Sequence, residues 1–74
     1  MNNDQVRAAF VQILIDRVRA DQHPSQTHMT LIEETLPREA LPLYIEVLLE
    51  KIAEEPHPSV SMLRRIQALI NAAG

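Results

Sequence analysis

The sequence contains no cysteine, no tryptophan and a single glycine, which is its last residue. Without cysteine there is neither a disulfide framework nor a thiolate zinc site to supplement a core, and nothing points to an oxidising compartment. Without an internal glycine, both tight hairpin turns and glycine-rich phosphate loops are missing. Phe10 and Tyr44 are the only aromatic residues, so the core must be aliphatic. Apolar runs last only a few residues, such as "ILI" at 13 to 15, far short of the ~20 that span a bilayer. The opening "MNNDQV" lacks the basic region and apolar stretch of a secretory signal, so a cytoplasmic location is expected. Lysine and arginine together number seven, are scattered, and leave a formal charge of −3. That balance argues against nucleic acid as a partner.

What is present favours a small helical domain. Apolar residues make up 46% of the 74, enough to fold, but a chain this short buries only ~60% of the surface its unfolded form exposes. Good helix packing and self-association are therefore the expected sources of stability.

The strongest pattern is internal. An offset of 34 residues lays "FVQILIDRVRADQHPSQTHMTLIEETL" from Phe10 over "YIEVLLEKIAEEPHPSVSMLRRIQALI" from Tyr44 without a gap. Val11 meets Ile45, Leu14 meets Leu48, Asp16 meets Glu50, Arg17 meets Lys51, and His, Pro and Ser recur identically. Size, polarity and charge are kept at most positions, so both halves are expected to adopt one conformation with one buried face. The reading is a tandem duplication, with repeat one over about residues 4 to 37 and repeat two over about 38 to 72. A helical pair of this length is also the unit of tetratricopeptide arrays, but the glycine and large aromatic positions of that pattern are missing here.

Each half reads as helix, turn, helix. Asn3 or Asp4 is the expected cap of a first helix running to about Ala20, whose Val11, Leu14, Ile15 and Val18 follow the i, i+3, i+4, i+7 spacing of one face. The matching set on the third helix is Ile45, Leu48, Leu49 and Ile52. The second helix carries Met29, Ile32 and Leu36; the fourth carries Leu63, Ile66 and Ile70 and frays at "NAAG". Between the halves, Pro37 suits a first helical turn and Pro42 lacks the amide hydrogen a helix interior uses, so a short turn and a restart near Leu41 are expected. The expected fold is an all-α, small four-helix bundle of two helix-turn-helix repeats with pseudo-two-fold symmetry, in a single domain over residues 1 to 74.

The repeated "HPS" at 23 to 25 and 57 to 59 has a structural reading. Proline holds the preceding histidine extended and is itself preorganised for a first helical turn, and either His or Ser caps the helix that follows. A bundle would bring His23 and His57 to one end with His28 a turn away, which could suit a transition metal or proton transfer. The spacing is not a metal motif, and His28 matches Met62 in the other half. No metal, cofactor or catalytic residue is assigned.

Other constellations are weaker. Glu46, Glu50 and Glu54 form an i, i+4 stripe of a solvated face; Arg64 and Arg65 on the last helix are the basis of an alternative reading as a DNA-binding regulator. No nucleophile motif is present, so the chain is not expected to be an enzyme.

Apolar residues are in surplus. Besides their main faces, the first helix carries Val6, Ala9, Phe10 and Ile13 on a second side, and the third carries Leu43, Tyr44 and Val47. A surface helix of a monomer needs one apolar stripe. The second face is expected to be an interface centred on Phe10, Ile13, Tyr44 and Val47, with a second copy or another protein as partner. The expected function is a non-catalytic protein-protein interaction module, an adaptor or regulatory accessory protein, with no membrane and no small-molecule substrate.

Overall fold

The computed structural model describes residues 1–74. The chain is all-α, with α1 (Asn3–Ala20), α2 (Gln26–Thr35), a 3-10 turn (Arg38–Ala40), α3 (Leu41–Glu54) and α4 (Val60–Ala73), and no strand. It forms two compact units, Met1–Ala40 and Leu41–Gly74. In the first, α1 packs against α2; in the second, α3 packs against α4.

The helix starts follow from side chains that answer exposed amide groups. Asn2, rather than Asn3 or Asp4, caps α1: its side-chain oxygen accepts the Gln5 amide hydrogen at 2.9 Å, and the Gln5 side chain accepts the Asn2 amide hydrogen at 2.8 Å. This reciprocal box satisfies two donors that the first turn leaves without partners, and Asn3 then forms the first helical residue. Ser25 caps α2 by accepting the His28 amide hydrogen at 3.3 Å, and Ser59 caps α4 by accepting that of Met62 at 3.1 Å. The serines, not the histidines, are the caps. Pro24 and Pro58 consequently lie just outside the helices rather than in their first turns.

The segment between α2 and α3 behaves as its prolines require. The Ala40 amide hydrogen is accepted by the Pro37 carbonyl at 2.9 Å, closing the 3-10 turn, and α3 restarts at Leu41. Pro42 then falls in the first turn of α3, where its missing N–H costs no helical bond. At the other end of the chain α4 remains helical to Ala73 and is capped by Gly74, so "NAA" does not fray. Gly74 alone has a positive φ, 92°, which a glycine adopts without strain at a helix C-terminus.

In the first unit the buried side chains are Val11, Ile15 and Val18 of α1 with Met29 and Ile32 of α2. This is the expected stripe, with Leu14 half-buried beside it and Leu36 terminating α2. Each such aliphatic side chain contributes roughly 1.5–3 kcal/mol on removal from water.

The second unit departs from expectation. Tyr44, Val47, Leu48 and Lys51 are buried on α3 and Ile66 on α4, whereas Leu49, Leu63 and Ile70 are exposed. Tyr44 and Val47 are 0% exposed, so their assignment to an accessible interface is corrected: both are core residues. Positions 44, 47, 48 and 51 also keep the i, i+3, i+4, i+7 spacing of one helix face. This set includes the charged Lys51, whereas Ile45, Leu48, Leu49 and Ile52 are all apolar. Burying it removes the whole tyrosine side chain from water, one of the largest gains open to an aliphatic chain, and the four-carbon stem of Lys51 can lie along the same face.

The caps recur 34 residues apart, at Ser25 and Ser59. The buried stripes of α1 and α3 do not, because Val11, Ile15 and Val18 correspond to Tyr44, Leu48 and Lys51 at an offset of 33. One residue is about 100° around a helix axis. The face that is buried on α1 is thus the half-exposed face of α3, and the reverse.

Candidate interaction surface

On α1 the consequence of that shift is an exposed apolar stripe. Val6, Phe10 and Ile13 lie at i, i+4 and i+7, within about 60° of one another around the helix, and they are 51%, 44% and 68% exposed. The stripe continues at Arg17, also exposed, one turn nearer the C-terminus. The buried residues Val11, Ile15 and Val18 occupy the other side of the same helix, so the fold itself holds Val6, Phe10 and Ile13 away from the unit's core. Around the stripe the surface is polar: Arg7 and Asn3 border one edge and Asp16 the other, where its carboxylate accepts a hydrogen bond from the Gln12 side chain at 2.9 Å.

Of the four residues expected at an interface, Phe10 and Ile13 are thus accessible together on one helix, and Tyr44 and Val47 are not accessible at all. Val6 completes the accessible set; its place on the second apolar face of α1 was visible in the helical spacing. A second exposed stripe on α4, Val60, Leu63 and Ile70, was not foreseen, since Leu63 and Ile70 read as core. It is interrupted by Gln67 at the position between Leu63 and Ile70 and has no aromatic residue, which makes it the poorer anchor.

The charged candidates have less geometry behind them. His23 and His57 are exposed and His28 is half-buried, its Nδ1 enclosed without a hydrogen-bond partner. No three His, Asp or Glu side chains are grouped as metal ligands. Glu46, Glu50 and Glu54 are all exposed along α3. Arg64 is exposed but Arg65 is half-buried, so the adjacent pair does not project into solvent as one basic patch. No helix is long and apolar enough to cross a membrane. Compared with known protein families, characterised proteins and solved structures, the chain has no match in any of the three.

Proposed function

We propose that the chain is a small, non-catalytic helical module for protein-protein interaction, self-associating through α1 and acting in the cytoplasm as an adaptor or regulatory accessory protein. The observation that carries this reading is the stripe of Val6, Phe10 and Ile13, exposed on a helix whose opposite face is already buried. Three large apolar side chains aligned along one accessible face gain free energy only when something covers them. Phe10 supplies the aromatic side chain that commonly anchors such contacts. The proposal includes the origin of the chain as two tandem helical pairs with pseudo-two-fold symmetry; its support is the matched sequence at an offset of 34 and the paired serine caps.

Sedimentation of the purified chain over a range of concentrations tests the reading, with Ile13→Asp and Val47→Asp as companions. The wild-type chain is expected to associate and Ile13→Asp to remain folded but monomeric. Val47→Asp, which places a carboxylate in the core, is expected to lose its helical structure. A wild-type chain that stays monomeric at every concentration overturns the proposal.

A further inference from the structure

We draw no further inference here: the strongest candidate, the exposed apolar stripe of Val6, Phe10 and Ile13 along α1, belongs to the interaction surface already described, and nothing in the structure shows what covers it.

Discussion

Phe10 and Tyr44, the two aromatic residues of the chain, stand in opposite environments: Phe10 is 44% exposed on α1, and Tyr44 is fully buried on α3. An aromatic side chain can anchor a core or a contact with a partner. Their different burial assigns one to each task, and truncating each to alanine should separate the two. Tyr44→Ala is expected to cost about 3–5 kcal/mol, the range for deleting a buried aromatic ring. Phe10→Ala at protein concentrations low enough to keep the chain monomeric should change stability by about 0.5 kcal/mol or less. Urea denaturation followed by circular dichroism measures both. Equal losses would mean that Phe10 is as much a core residue as Tyr44.

Ser25 and Ser59 hold equivalent bonds to the third residue of their helices, at 3.3 and 3.1 Å, and should have similar energetic weight. Ser25→Ala and Ser59→Ala are each expected to lose about 1 kcal/mol, which in a domain of this size lowers the melting temperature by about 4–8 °C. Aspartate at either position also accepts the amide hydrogen and should restore most of the loss. His23→Ala and His57→Ala, at exposed positions before the caps, should fall within about 0.5 kcal/mol of the wild type. If either histidine proves as costly as its neighbouring serine, the motif does more than start a helix.

The legible part of the fold was the part set by local chemistry. The end of α1 at Ala20, the restart of α3 at Leu41 and a cap at each "HPS" all follow from proline and serine acting within one or two turns. The choice of buried face on α3 is different, because two sets of residues share the same helical spacing. Ile45, Leu48, Leu49 and Ile52 are uniformly apolar; Tyr44, Val47, Leu48 and Lys51 contain a charge. Periodicity registers the charge but not the area of the tyrosine or the aliphatic stem of the lysine, and those belong to tertiary packing. The same ambiguity divided the candidate site: its α1 half is accessible, and its α3 half is core.

Zinc should have little effect on the chain. His23 and His57 are exposed and no three ligand-type side chains are grouped, whereas a stabilising site needs several donors arranged around the ion. Melting curves with zinc and with a chelator are expected to coincide within about 1 °C, since a metal raises stability only to the extent that it binds the folded state better than the unfolded one. A rise in melting temperature that disappears in His23→Ala and in His57→Ala would reinstate the histidines as ligands.

Lys51 provides the most direct check on the one-residue shift between the buried stripes. It is 8% exposed and shares its face with Tyr44, Val47 and Leu48, while Arg17, its counterpart at an offset of 34, is exposed on α1. Lys51→Glu shortens the stem, reverses the charge and sets the new carboxylate three and four residues before Glu54 and Glu55. Burial of that group and repulsion along the helix act in the same direction, and the loss should reach at least about 2 kcal/mol. Lys51→Met keeps an unbranched apolar stem of similar length, so it should cost less than about 1.5 kcal/mol. Arg17→Glu in the monomeric chain should cost about 1 kcal/mol or less, the ordinary effect of reversing a charge in the last turns of a helix. Denaturation of the three variants side by side decides the matter. If Arg17→Glu is as damaging as Lys51→Glu, the two helices bury equivalent faces after all, and Phe10 and Ile13 belong to the core with Tyr44 and Val47.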